Sequence, residues 1–149
     1  MAFSARLQAD RMLATFTFDP WRLGHSLFQV HLSVDPAVCE MDVVSTEGAI
    51  SVDDLQRLIG YFRDHVQQLH RNPNHESDVF TDENLVFQTQ AFCGDIDDDG
   101  GDFTLSLHVN PAGHSRGHAR IYVGGCTGID VQAVDIFLRS LEEHYQSCH

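Results

Sequence analysis

Apolar and polar residues alternate with a period of two over residues 27 to 34. Phe28, Val30, Leu32 and Val34 fall on one face, and Leu27, Gln29, His31 and Ser33 on the other. Such a period marks a strand buried on one side only, the habit of antiparallel sheets. An earlier strand is expected over residues 12 to 18, with Ala14, Phe16 and Phe18 opposite Leu13, Thr15 and Thr17, and Asp19-Pro20 ends it. Asp35-Pro36 turns the chain, because proline presets the dihedral of a turn position. A further strand is expected from about residue 38 to 45.

The pattern then changes to a period of 3.6. Ser51 followed by Asp54 resembles a capping box, with Asp in place of the usual Glu or Gln. Leu55, Leu58, Ile59, Phe62, Val66 and Leu69 form one apolar stripe, and Asp53 and Asp54 sit near the positive end of the helix dipole. Asn72-Pro73-Asn74 stops this helix, and residues 75 to 84 read as a surface connection. Strands are expected again over residues 85 to 93, 103 to 109 and 118 to 123. In the middle one, Phe103, Leu105, Leu107 and Val109 oppose Thr104, Ser106 and His108. A second helix is expected from Asp130 to about Tyr145, striped by Val134, Phe137, Leu138, Leu141 and Tyr145.

Aligned without gaps, Ile50 to His65 matches Ile129 to His144, apolar on apolar and His65 on His144. Residues 1–149 thus read as one domain with two possible quasi-repeats, about 11–70 and 84–146. Two amphipathic helices with phased stripes would also align by themselves. Either way, the expected fold class is α+β. We expect a single antiparallel sheet of about six strands in the order βββα-βββα, with both helices on one face.

Charge narrows the functional classes. Asp and Glu number 22 against 9 Lys+Arg, a formal net charge of −13. That argues against a nonspecific nucleic-acid binder or a protein docking on anionic lipid, both of which need basic surface. All nine basic residues are Arg, which excludes Schiff-base lysines, the P-loop lysine and Ser-Lys dyads. No stretch is long and apolar enough to span a membrane, and Arg6, Gln8, Asp10 and Arg11 interrupt any signal-peptide core, so a cytoplasmic protein is expected. Cys39, Cys93, Cys126 and Cys148 are too sparse for a disulfide scaffold and lack a CxxC pair, so they are expected to be buried reduced thiols.

Acidic residues concentrate in two loops: Glu76, Asp78, Asp82 and Glu83, and then Asp95, Asp97, Asp98, Asp99 and Asp102. The strand between them should hold the loops roughly 30 Å apart. The run Asp95-Ile96-Asp97-Asp98-Asp99-Gly100 matches the first half of an EF-hand calcium loop, but position 12 is Ser106 and the flanks read as strands. The competing reading is a charged hairpin turn closed by Gly100-Gly101. His108, His114 and His118 flank a turn expected at the same end of the sheet as His75, Glu76 and Asp78. Imidazoles with a carboxylate suit zinc, although spacing alone does not set four ligands on a tetrahedron.

Gly124-Gly125-Cys126-Thr127-Gly128 is expected to turn strand into helix. It could present N–H groups to phosphate or an activated Cys126, yet it lacks the G-x-G-x-x-G spacing and a positioned partner. Trp21 either anchors a partner or caps a sheet edge. Val86 and Phe92 are apolar on an otherwise polar second face, and would mark a dimer or partner surface if they cluster.

A small acidic α+β chain of this kind, ending in a helix that reads VDIFLRSLEEHY, resembles immunity proteins of bacterial polymorphic-toxin systems. The similarity covers residues 27 to 69 and 84 to 145 as pattern. It implies a non-enzymatic antitoxin, without cofactor or catalytic residues, that neutralises a basic cognate toxin by direct binding as monomer or homodimer. Its partner-binding residues would be the nine acidic residues named above. Two other readings compete: a divalent-metal-binding module using Asp95, Asp97 and Asp99 or the histidines, and a small hydrolase.

Overall fold

The computed structural model describes residues 2–111 and 121–148. The elements in chain order are β1 (Phe3–Ala9), β2 (Met12–Phe18), β3 (His25–Val34), β4 (Asp42–Val44), β5 (Gly48–Ser51), α1 (Val52–Arg71), β6 (Phe80–Thr81), β7 (Phe87–Asp97), β8 (Gly100–Val109), β9 (Val123–Asp130) and α2 (Val131–Gln146). All observed strand pairing is antiparallel and both helices lie where the 3.6-residue stripes put them.

The single six-stranded sheet does not form. Strands β1 to β5 build one sheet, in which β3 pairs with β2 on one side and with both β4 and β5 on the other; strands β6 to β9 build a second. The edges β1 and β9 meet at their ends, where the Asp10 N–H donates to the Gly128 carbonyl at 2.8 Å. Periodicity shows which residues share a face. It carries no information on which strand edges join, and that is why the strand order differs from βββα-βββα. The helices also divide their packing: α1 lies on β5 and β7, whereas α2 lies on β1, β8 and β9.

One hydrophobic core joins all of these layers. Phe16 meets Phe87 edge-on at 5.1 Å and Phe137 at 5.1 Å, so both sheets and α2 converge on one ring. Phe62 of α1 packs against Phe137 at 6.0 Å. The alternation in β2, β3 and β8 is as the pattern demands: Ala14, Phe16, Phe18, Phe28, Val30, Leu32, Phe103, Leu105, Leu107 and Val109 are all buried. Burying such side chains supplies the main driving force for the fold.

Several boundaries differ from expectation for local reasons. Strand β1 was hidden by its small side chains, since its buried face is only Ala5, Leu7 and Ala9. Residues 38 to 41 lie outside any strand, and the strand expected there is reduced to β4, followed by the short β5. The connection at 75 to 84 is not wholly surface, because β6 buries Phe80 and is followed by buried Asp82. Val86 is fully buried rather than part of a second face, and the irregularity between Ala91 and Gly94 shifts the register at Phe92.

The glycine run is not a turn but strand β9. A Cβ on Gly124 would sit 1.9 Å from the Leu107 carbonyl, so glycine is what lets β9 approach β8. Of the strand expected at 118 to 123, residues 118 to 120 lie outside the described residues. The cysteines are also not buried: Cys39, Cys93 and Cys126 are exposed on a loop, at the irregular stretch of β7 and on the outer side of β9. Among the described residues, no helix is long and apolar enough to cross a membrane.

Candidate functional site

The acidic hairpin is built by β7 and β8. Asp97 pairs with Gly100, leaving Asp98 and Asp99 as a two-residue turn in which the Asp97 carboxylate accepts the Asp99 N–H at 2.9 Å. Gly101 follows with φ of 140°, and a Cβ there would lie 2.0 Å from the Asp95 carbonyl. The hairpin therefore needs glycine at this position.

Register then sets the charge. Asp95 faces Asp102 across β7 and β8, and Asp102 faces Asp130 across β8 and β9. Cross-strand partners point to the same side with Cβ atoms ~5 Å apart, so three carboxylates form a row, and like charges placed this way repel. Asp95, Asp97, Asp98, Asp99 and Asp102 are exposed, and among the described residues none forms an ion pair. Asp130 adds to the row while capping α2 by accepting the Gln132 N–H at 2.7 Å. Sequence reasoning missed Asp130, although the strand register would have revealed it.

The other acidic group divides. Asp82 is 1% exposed, so it is not a surface contact. Its carboxylate accepts the N–H groups of Val86 at 2.7 Å, Phe87 at 2.9 Å and Asn84 at 3.1 Å, and so closes the turn into β7. Burial raises its pKa, the three backbone donors lower it, and the charge of Asp54 adds to the rise. Asp54 is itself buried at the start of α1, where Arg57 donates to it at 2.6 Å and the Glu83 N–H at 3.0 Å. Glu83 is exposed beside this turn.

Glu76 and Asp78 are exposed farther along the edge of β7. The segment carrying them doubles back beside that strand, with the Ser77 N–H on the Ala91 carbonyl and the Gly94 N–H on the Pro73 carbonyl, each at 3.0 Å. They therefore stand partway towards the hairpin, ~20 Å from Asp97 along the strand, instead of forming a patch at the opposite end.

The calcium reading loses its geometry. Ser106, at loop position 12, sits in the middle of β8 opposite Gln90 and Cys126, so the chain runs straight where an EF-hand would wrap an ion. Of the histidines in the zinc reading, His108 and His75 are described, and they lie apart. His108 pairs with Gln88, near the start of β7, while the His75 ring lies 5.4 Å from His65 beside the middle of that strand. His114 and His118 lie outside the described residues. Among the described residues, no group of three or more His, Cys, Asp or Glu is close enough to hold a metal ion.

Two buried histidines at matched helix positions instead have structural roles. The Phe92 carbonyl can only accept, so His65 donates from Nε2 at 2.8 Å and its Nδ1 takes the Ser77 hydroxyl proton at 2.7 Å. His144 stacks against Trp21 and Phe18, each at 4.7 Å, and donates from Nε2 to the Ser26 oxygen at 3.1 Å; the Ser26 proton goes to the Asp19 carbonyl at 2.6 Å. Burial lowers the pKa of both rings. Trp21 donates its indole N–H to the His144 carbonyl at 2.7 Å, which seals the end of α2. Comparison of the chain with known protein families and with characterised proteins returned no match.

Proposed function

We propose that the chain is a non-enzymatic binding domain that docks a basic protein on the hairpin carboxylates, in the manner of an immunity protein neutralising its cognate toxin. The observation that carries this reading is the row Asp95, Asp102 and Asp130, like charges held face to face by strand register and, among the described residues, paired with no arginine. Such a row raises the energy of the free protein, and a basic surface laid against it relieves the repulsion. The exposed tip at Asp97, Asp98 and Asp99 extends the same field and speeds encounter. Glu76 and Asp78 flank it along β7, and Asp82 is removed from the contact set. On this reading the chain works in the bacterial cytoplasm.

The test is affinity capture from the native cell extract at about 0.15 M salt, followed by mass spectrometry. One tight basic partner is expected, captured in clearly lower yield by the D95N/D102N variant than by the natural chain. Retention of nonspecific basic proteins alone, or equal retention by both chains, contradicts the proposal. A rise in thermal midpoint on adding calcium alone would favour the metal-binding reading instead.

A further inference from the structure

Four strands contribute one row of side chains to the solvent face of the first sheet. Gln8, Leu13, Ser33 and Asp42 are successive cross-strand partners in β1, β2, β3 and β4. They floor a cleft of about 930 Å³, walled by Arg11 on one side and by the loop of Cys39, Glu40 and Met41 on the other. Both walls are tied to the end of β3: the Asp35 N–H donates to the Arg11 carbonyl at 2.8 Å, and the Val34 N–H to the Met41 carbonyl at 3.0 Å.

The cleft sets the apolar side chains of Leu13, Val34 and Met41 beside a negative rim. Arg11 holds a φ of 60°, a turn position that favours Gly or Asn, and its guanidinium lies 3.7 Å from Asp35. Its charge is thereby met. Among the described residues Glu40 makes no ion pair, and the Asp42 carboxylate is bonded to the His31 ring but to no arginine. Gln8 also lines a neighbouring cleft of about 420 Å³ with Asp10, Asp102 and Asp130, so this cleft runs into the carboxylate row.

Resting on the binding reading above, we propose that this cleft seats an arginine-bearing segment of the basic partner. An arginine is an apolar stem ending in a planar cation. Leu13 and Met41 cover the stem, and the Glu40 and Asp42 carboxylates receive the guanidinium. A purely apolar segment would leave the Glu40 carboxylate without a partner, and an acidic one would be repelled.

The experiment follows backbone amide signals of the full chain by NMR at about 0.15 M salt during titration with two tetrapeptide amides of equal charge. One is tetra-arginine, and the other is tetra-2,3-diaminopropionic acid, which has almost no stem. Tetra-arginine is expected to shift Leu13, Ser33, Met41 and Asp42 saturably, whereas the short-stem peptide shifts only the region of Asp95 to Asp102. Leu13→Ser and, separately, Glu40→Gln should each weaken the cleft response roughly fivefold to tenfold, leaving the hairpin response unchanged. Hairpin shifts without cleft shifts, or equal cleft shifts from both peptides, overturn this proposal and leave the binding reading intact. Absence of any shift in either region overturns both.

Discussion

Two sets of carboxylates from the same acidic segment have opposite fates. Asp82 is buried and takes three backbone N–H bonds, while the hairpin aspartates stand in solvent, with no ion pair among the described residues. The difference teaches that an acidic run need not be a single surface. A carboxylate surrounded by orphan N–H groups is fold-forming, because those donors would otherwise be buried unsatisfied. A carboxylate facing others across a ladder weakens the fold by repulsion, and the proposed docking role is a use for it outside the molecule.

Substitution separates the two sets most sharply. Asp82→Ala strands the N–H groups of Asn84, Val86 and Phe87, and about 3 kcal/mol of stability should be lost, with a thermal midpoint roughly 6–12 °C lower. Asp98→Ala should stay within about 0.5 kcal/mol of the parent. Equal effects in thermal unfolding would erase the distinction.

Gly101→Ala comes next. It places a Cβ against the Asp95 carbonyl at a φ of 140°, so about 2 kcal/mol should be lost and the facing aspartates displaced. Partner capture should fall with stability, whereas Asp98→Ala reduces only the rate of association.

The buried histidines set a smaller dependence on pH. His65 and His144 have folded pKa values below the ordinary 6.5, so the unfolded chain binds more protons as pH falls through that value. Their contribution is whole above about pH 6.5 and declines as pH drops from there towards the folded values. The titration of Asp82 runs the other way: its folded pKa is raised above 3.8, so the increment of stability that goes with its protonated form is whole below 3.8 and is lost as pH rises through the folded value, while its N–H bonds persist. Urea midpoints should therefore fall between about pH 7 and pH 5.5 in the parent, and more gently in the H65Q/H144Q variant. Parallel profiles would contradict this assignment.

The smallest effect has the opposite sign. Asp102→Asn relieves repulsion from both of its ladder neighbours and should raise stability by about 0.2–1 kcal/mol while slowing partner association. A loss of stability would mean that the row contributes to the fold.

Much of the fold was legible because side-chain periodicity follows directly from burial. Phe16 and Phe18, Val30 and Leu32, and Leu105 and Leu107 all read correctly, as did the Ser51 cap, whose hydroxyl accepts the Asp54 N–H at 3.0 Å. What was not legible depends on contacts between distant segments. Alternation cannot tell that β3 shares its far edge between β4 and β5, or that Gly124 is a close approach and not a turn. The site follows the same rule. The hairpin aspartates could be located from composition and Gly100-Gly101, but the burial of Asp82 and the alignment of Asp130 with Asp102 depend on long-range register.

Association kinetics between this chain and its captured partner, measured across a range of ionic strength, test the central claim most directly. The on-rate of the natural chain should fall steeply as salt rises, and at low salt D95N/D102N should associate about tenfold more slowly with little change in off-rate. Identical on-rates for the two chains, or rates indifferent to salt, would contradict an acidic docking face.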